Sequence, residues 1–337
     1  MRYCESGAGR VAYSTTGSGP VLLMDPGWVT HLRRQLEVGS FAAFVDALAQ
    51  RFTVVRFDKP GCGLSDPQGH GAGFDGQVAA LMAVADAVRA RRFSVFGASQ
   101  GGHVAVAAAA RHPDRVEGLV VYGACARGAD LAPPKVQKAL SGLVAGHWGL
   151  GSRLMTDILV PNAASDEVES LARLQRASAP AEVARDLLEL YYATDVSDLL
   201  PLIRARTAVL HREGDAAAAF ALGRHLAAEI PGAVLVPLPG DAHLFYYGDW
   251  RAVLEAAAEF LAPAVAMSVQ LTPREVDVAR LVAAGLTNNA IAAELRISAR
   301  TVDTHVGNIR GKLGARSRAQ VAAWITQYDT EDATPDP

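Results

Sequence analysis

Hydrophobic positions in the first three quarters of the chain follow two patterns. Short apolar runs at residues 21–24, 116–123 and 207–211 are typical of buried strands. Between the last two runs, apolar residues recur at helical spacing, as in residues 171–177 and 181–193. The combination predicts an α/β domain in which a group of helices forms a cap over the sheet.

The last quarter of the chain has a purely helical pattern. Thr272-Pro-Arg-Glu275 has the N-cap hydroxyl, the proline and the glutamate that are typical of a helix start, and Thr287 and Ser298 can cap two further helices. The third helix repeats its apolar residues at intervals of four, three and four, at Val302, Val306, Ile309 and Leu313. The spacing predicts a helix-turn-helix unit with a fourth helix at about 318–327.

Length and composition allow two domains. The chain has 337 residues, of which 50% are hydrophobic and 20% charged, so it can bury an α/β core and a smaller second one. We expect an α/β domain at 1–262 with a helical cap at about 126–198, a linker at 263–270, an all-α domain at 271–327 and a disordered acidic tail at 328–337.

The charge of the C-terminal region favours a nucleic-acid partner. Residues 270–327 contain eight Arg or Lys and four Asp or Glu, so this region is net positive in a chain whose formal net charge is −3. Cations here would contact phosphates and give an affinity that weakens with salt.

The C-terminal motifs closely resemble the DNA-binding domain of LuxR-type transcription regulators. The resemblance implies that the third helix enters the major groove of double-stranded DNA and that two copies act as a homodimer. The positions matching Asp303, Thr304 and Gly307 face base edges in the family, and the first and third are commonly basic there. The predicted DNA-binding residues are Arg300, Thr301, Asp303, Thr304, His305, Gly307, Asn308, Lys312 and Arg318. The fourth helix either pairs two subunits, as is frequent in the family, or packs against its own domain.

A candidate nucleophile lies in the first domain. Gly97-Ala-Ser99-Gln-Gly101 follows an apolar run and precedes an alanine-rich stretch, which is the strand, sharp turn and helix of a nucleophile elbow. An acid and a histidine follow later in the chain, Asp215 and His243, each just past a predicted strand. Ser99 would attack, His243 would accept its proton, and Asp215 would orient the imidazole. Asp241 and Glu213 remain alternatives for the acid.

These motifs resemble those of α/β-hydrolases. The resemblance implies an oxyanion hole made by the backbone N–H groups of Trp28 and Gln100, although Pro26 stands where the family usually has histidine. With serine as the nucleophile, the reactions of this fold that remain possible are the hydrolysis of an ester, thioester, lactone or carbon–carbon bond, and cofactor-free perhydrolysis. We expect no cofactor, and the three cysteines lack the spacing of metal ligands, so we expect no metal.

Aromatic residues of the cap and core are expected to line an apolar ligand pocket near the serine. The predicted lining residues are Trp28, His31, Trp148, Tyr191, Tyr192, Phe245 and Tyr246.

Our leading hypothesis is a transcription regulator whose hydrolase-like domain senses a small apolar ester, lactone or other carbonyl compound. The alternative is an active serine esterase or lactonase with an attached DNA-binding domain. In a third hypothesis, a slowly hydrolysed acyl-enzyme is itself the signal. The N-terminus lacks a signal-peptide pattern and no 18-residue apolar span occurs, so we expect a cytoplasmic protein that does not enter membranes.

Overall fold

The computed structural model describes residues 1–261, 271–313, 321, 322 and 325. The chain divides into two compact units, residues 1–262 and 263–337. No helix within the described ranges is both long and apolar enough to cross a membrane.

The first unit is built on one sheet of eight strands. In chain order these are β1 (Arg2–Ser6), β2 (Gly9–Thr16), β3 (Val21–Asp25), β4 (Thr53–Phe57), β5 (Phe93–Ala98), β6 (Val116–Tyr122), β7 (Arg206–Arg212) and β8 (Val234–Leu238). Their spatial order is β1-β2-β4-β3-β5-β6-β7-β8; β2 pairs antiparallel with β1 and β4, and the remaining neighbours are parallel. The strand order reverses around β3, which is where ligands bind in sheets of this type.

Helices cover both faces of this sheet. Helices α1 (Gly39–Ala49) and α9 (Trp250–Leu261) pack on one face, where Phe41, Phe44, Phe96 and Phe245 form the centre of an aromatic core. Helices α2 (Gly73–Ala87), α3 (Gln100–Arg111) and α8 (Phe220–Glu229) pack on the other. Central strands with two covered faces must be apolar throughout, and all six residues of β5 are buried.

Four helices between β6 and β7 form the cap. They are α4 (Pro134–Gly146), α5 (Trp148–Leu159), α6 (Ser165–Ser178) and α7 (Ala181–Ala193). The cap has a small apolar core of its own, in which Val144, Met155, Val183 and Leu187 pack with Trp28 of the sheet unit.

The second unit contains α10 (Pro273–Ala283), α11 (Asn288–Leu295) and α12 (Ala299–Leu313). Thr272 and Glu275 form a reciprocal capping box at the start of α10, and the Thr287 hydroxyl accepts from the Ala290 N–H at the start of α11. Apolar residues of all three helices form one buried cluster that includes Val278, Ile291, Val302 and Ile309.

Most of the predicted fourth helix lies outside the described residues, as do the predicted linker at 263–270 and the predicted tail at 328–337. Residues 321, 322 and 325 are helical, and Val321 and Ile325 are buried in the cluster of their own unit. These two side chains therefore contribute to the fold of a single copy.

Candidate active site and nucleic-acid interface

Ser99 stands at a sharp turn between β5 and α3. Its backbone has φ 53° and ψ −123°, a conformation that residues other than glycine rarely adopt. A Cβ on Gly97 would lie 2.5 Å from the Gly101 carbonyl oxygen, and one on Gly101 would lie 2.4 Å from that of Asp25. The glycines on either side therefore permit the close packing that lifts Ser99 out of the sheet.

The structure brings Ser99, His243 and Asp215 together. His243 Nε2 lies 2.8 Å from Ser99 Oγ, and His243 Nδ1 lies 2.8 Å from Asp215 Oδ2. His243 and Asp215 are buried, whereas Ser99 is partly exposed. With Nδ1 protonated towards Asp215, Nε2 is free to accept the serine proton, which is the arrangement of a serine hydrolase.

Asp215 is held as a carboxylate. Its Oδ1 accepts the backbone N–H groups of Ala217 and Ala218 at 2.9 and 3.0 Å. Burial opposes ionisation, but the attraction of His243 and the Ala218 hydrogen bond outweigh it and hold the pKa of Asp215 below its usual value. A second buried imidazole, that of His211, lies 3.8 Å from Asp215 Oδ2 and binds the Ala218 carbonyl at 2.8 Å.

The two alternative acids lie elsewhere. Asp241 accepts a hydrogen bond from the side-chain amide of Asn162, and Glu213 is exposed. Within the described residues, Asp215 is the carboxylate that contacts the His243 ring.

The predicted oxyanion donors flank the serine. Gly27 precedes Trp28, and a Cβ on Gly27 would come within 3.8 Å of Ser99 Cβ, so this loop lies directly against the nucleophile. Gln100 begins α3, where the helix dipole favours negative charge. Within the described part of the chain, neither the Trp28 N–H nor the Gln100 N–H has a protein acceptor. Asp25 supports the loop by accepting the Gly27 N–H and by forming a buried ion pair with Lys59 at 2.9 Å.

A cavity of about 260 Å³ opens at Ser99. Three of the predicted pocket residues, Trp28, Tyr191 and Tyr192, line it together with Ser99 and His243. Pro26 and Gly27 of the loop before Trp28 also line it. The other walls are apolar and come from the cap and from residues that follow Asp215 and His243: Leu131, Ala132, Val136, Leu140, Met155, Ile158, Leu159, Leu188, Ala216, Ala217 and Leu244.

Four predicted pocket residues lie outside this cavity. His31 accepts the backbone N–H groups of Arg33 and Arg34 at the start of a 3₁₀ turn, and Phe245 is part of the aromatic core under the sheet. Trp148 stands behind Trp28, with its ring edge-on at 5.7 Å.

Tyr246 instead lines a neighbouring cavity of about 60 Å³. These four side chains are apolar or aromatic, like the residues that line the cavity at Ser99, and the sequence pattern does not say which surface they face. Leu244, Ala216 and Ala217 could have been found from their positions next to His243 and Asp215.

The predicted DNA-binding residues lie along α12. Arg300, Thr301, Asp303, Thr304, Gly307 and Asn308 are exposed, and His305 and Lys312 are partly buried. Arg318 lies outside the described residues.

Two of these side chains have partners that the sequence pattern did not indicate. Lys312 Nζ lies 2.6 Å from the buried carboxylate of Glu275, so this lysine ties α12 to the α10 capping box. Asp303 accepts a hydrogen bond from the Asn288 side chain of α11. This contact holds the acid at the surface of α12, where a carboxylate could accept from a cytosine amino group if the helix enters the major groove as predicted.

The sequence matches two family profiles. Residues 20–217 match the profile described as "alpha/beta hydrolase fold", and residues 269–325 match "Bacterial regulatory proteins, luxR family". The predicted fold class is confirmed for both parts of the chain.

Of the individual relatives, some match the hydrolase-like part of the chain and others match the DNA-binding part. The chain is 32% identical over 162 residues to a pimeloyl-[acyl-carrier protein] methyl ester esterase of Nitrosomonas europaea. The aligned residues make up 47% of this chain and 54% of the esterase. The chain is 45% identical over 58 residues to the nitrate/nitrite response regulator protein NarL of Escherichia coli K12, which covers 17% of this chain and 27% of the regulator. The chain thus spans about half of the first relative and about a quarter of the second.

Solved structures agree with the fold of the first unit. A bromoperoxidase from Bacillus anthracis superposes with a TM-score of 0.70 at 17% identity, covering 77% of this chain and 99% of that one. Identity at this level shows a shared fold and nothing of the activity.

The fusion of these two parts supports a DNA-binding regulator. The chain belongs to the α/β-hydrolase fold family and carries, towards its C-terminal end, the DNA-binding domain of the LuxR family of bacterial regulatory proteins.

Proposed function

We propose that the protein is a transcription regulator in which the hydrolase-like unit senses a small apolar ester, lactone or other carbonyl compound. The observation that carries the proposal is the cavity of about 260 Å³ that opens at Ser99 and has mostly apolar walls. A compound with an apolar body and one carbonyl group matches this combination of walls and serine.

The atoms around Ser99 support a carbonyl group as the polar end of the ligand. The N–H groups of Trp28 and Gln100 can donate to a carbonyl oxygen, while Ser99 Oγ faces the carbonyl carbon. Binding would alter DNA affinity by as much as the ligand prefers one arrangement of the protein over another. We further propose that two copies bind paired half-sites, and that the protein acts in the cytoplasm, where bacterial DNA lies.

A second candidate function is steady hydrolysis of an ester or lactone. The two 2.8 Å contacts that link Ser99, His243 and Asp215 favour it, because they need no rearrangement before the serine attacks. The similarity to a methyl ester esterase points in the same direction.

The deciding experiment combines a covalent probe with a DNA-binding assay. Intact mass after treatment with a fluorophosphonate should show one adduct on the native chain and none on Ser99→Ala. Both proteins are then titrated onto a duplex selected from a random pool by the native chain, with and without γ-decalactone, and 4-nitrophenyl butyrate hydrolysis is followed in parallel.

The outcomes separate the candidates. Ligand-dependent DNA binding that survives Ser99→Ala supports the sensor. Steady hydrolysis that Ser99→Ala abolishes, with DNA binding indifferent to the lactone, overturns the sensor in favour of the enzyme. A DNA response lost in Ser99→Ala without steady turnover identifies the acyl-enzyme as the signal.

A further inference from the structure

Cap helix α7 is joined to both residues that would donate to the oxyanion. The Trp28 indole Nε1–H donates to the Ala184 carbonyl at 2.9 Å, and the Gln100 side-chain amide donates to the Leu187 carbonyl at 2.7 Å. Ala184 and Leu187 are three residues apart and so lie on one face of the helix. The position of α7 is therefore fixed relative to the two backbone N–H groups beside Ser99.

Tyr191 lies on α7, one turn beyond Leu187. Its side chain lines the cavity and is 6% exposed, and its ring packs edge-on against His103 at 5.1 Å. The backbone is equally confined, because a Cβ on Gly128 would lie 1.7 Å from the Tyr191 carbonyl oxygen. Neither the ring nor the helix that carries it can move without displacing these neighbours.

The Tyr191 hydroxyl is buried and makes no hydrogen bond within the described residues. The Ser99 hydroxyl and the Cys125 thiol are close enough to influence its pKa, and a thiol is a weak hydrogen-bond partner. Burial raises the pKa of Tyr191 well above its usual value, so the hydroxyl keeps its proton and can act as a donor. A buried polar group without a partner is rare and requires an explanation.

We propose that Tyr191 is a specificity-determining residue, whose hydroxyl donates a hydrogen bond to a second oxygen of the bound ligand. The ligand is then a small ester, lactone or related carbonyl compound with a further oxygen acceptor within a few bonds of its carbonyl. The rest of it is apolar, as the leucines, Met155 and Ile158 of the cavity require. This inference rests on the proposed function, because it names the ligand class of the same cavity.

Three ketones of equal chain length test the proposal, since a ketone cannot be hydrolysed. Nonan-2-one has no second oxygen, 1-pentyloxypropan-2-one has an ether oxygen one carbon from the carbonyl, and 4-butoxybutan-2-one has it two carbons away. Their dissociation constants are measured by calorimetry with the full native chain and with Tyr191→Phe. Tyr247→Phe is the matched control, because it removes another buried tyrosine hydroxyl from a residue that lies outside the cavity.

The quantity of interest is the affinity of the better ether ketone divided by that of nonan-2-one. We expect this ratio to fall about tenfold in Tyr191→Phe and to stay unchanged in Tyr247→Phe, as loss of one buried hydrogen bond predicts. If Tyr191→Phe weakens all three ketones equally, Tyr191 has only a structural role and the proposal is wrong. If no ketone binds the native chain, the proposed function fails and this inference fails with it.

Discussion

The two units differ in where they place the groups that we expect to act. In the hydrolase-like unit, the proposed site depends on a few buried or partly buried atoms whose spacing is set by a strained turn and close backbone contacts. In the DNA-binding unit, most of the predicted DNA-contacting groups lie on the exposed face of one helix, and the buried cluster holds that helix in place.

Glycine shows this contrast directly. A Cβ on Gly97 or Gly101 would collide with backbone atoms, whereas one on Gly307 or Gly311 of α12 would meet nothing within 4 Å. A substitution that disrupts the first unit by a steric clash can therefore be harmless to the fold of the second. The surroundings of Ser99 therefore tolerate fewer substitutions than the exposed face of α12.

The largest effect should follow from Asp215→Asn. The asparagine oxygen can still accept the N–H groups of Ala217 and Ala218, but its amide favours the wrong tautomer of His243. We expect the rate of labelling by a fluorophosphonate to fall by roughly 10⁴-fold, which is the loss of turnover that the equivalent change causes in a serine protease. The control is Asp241→Asn, which changes a nearby acid that pairs with Asn162. Equal labelling of Asp215→Asn and the native chain would remove Asp215 from the mechanism.

A smaller effect concerns the pH dependence of the hydrolase unit. His103 is buried and its Nε2 binds the Cys125 carbonyl, and burial lowers the pKa of His103 from 6.5 to about 4. The unfolded chain therefore binds the proton more readily, so the stability contributed by His103 is complete above pH 6.5 and is lost as the pH falls towards 4.

This linkage can be isolated with His103→Gln. Between pH 7 and 4.5, the free energy of unfolding of the native chain should fall by roughly 2 kcal/mol relative to that variant. Urea unfolding of both proteins across this range measures the difference. Subtracting one protein from the other also cancels the opposing contribution of Asp58, because burial raises the pKa of Asp58 to about 6 in both. His305→Gln on α12 serves as the control. A pH-independent difference would mean that His103 does not titrate on unfolding.

The smallest effect should be a gain in stability. Gly307→Ala places a methyl group in open space in the middle of α12, where alanine is favoured by about 1 kcal/mol over glycine. Hydrogen exchange of the α12 amides in the full chain should slow accordingly, and Gly311→Ala should act similarly. Faster exchange would show that α12 requires the glycine, which would contradict the difference that we draw between the two units.

The sequence predicts the parts of the site that depend on local motifs. Ser99 was identifiable because the elbow glycines flank it, and Asp215 and His243 because each follows an apolar strand. The helix starts at Thr272 and Thr287 were equally readable, because capping depends on residues only three positions apart.

Contacts between distant residues could not be predicted in this way. Lys312 and Glu275 are 37 positions apart, and nothing in either neighbourhood indicates that they pair. Phe245 and Leu244 are adjacent apolar residues, yet one enters the core and the other lines the cavity. Which side of a chain faces which surface depends on the tertiary arrangement of the helices.

The position of the cap in the connectivity has an evolutionary consequence. All four cap helices are inserted in a single connection between β6 and β7, and these two strands pair with each other from Gly118 and Arg206 to Tyr122 and Leu210. Recombination at the two ends of this insertion would exchange most of the cavity wall and leave Ser99, Asp215, His243 and α12 untouched. If the cavity binds the ligand as proposed, a lineage can change which compound the cavity accepts while it keeps the same DNA-binding helix.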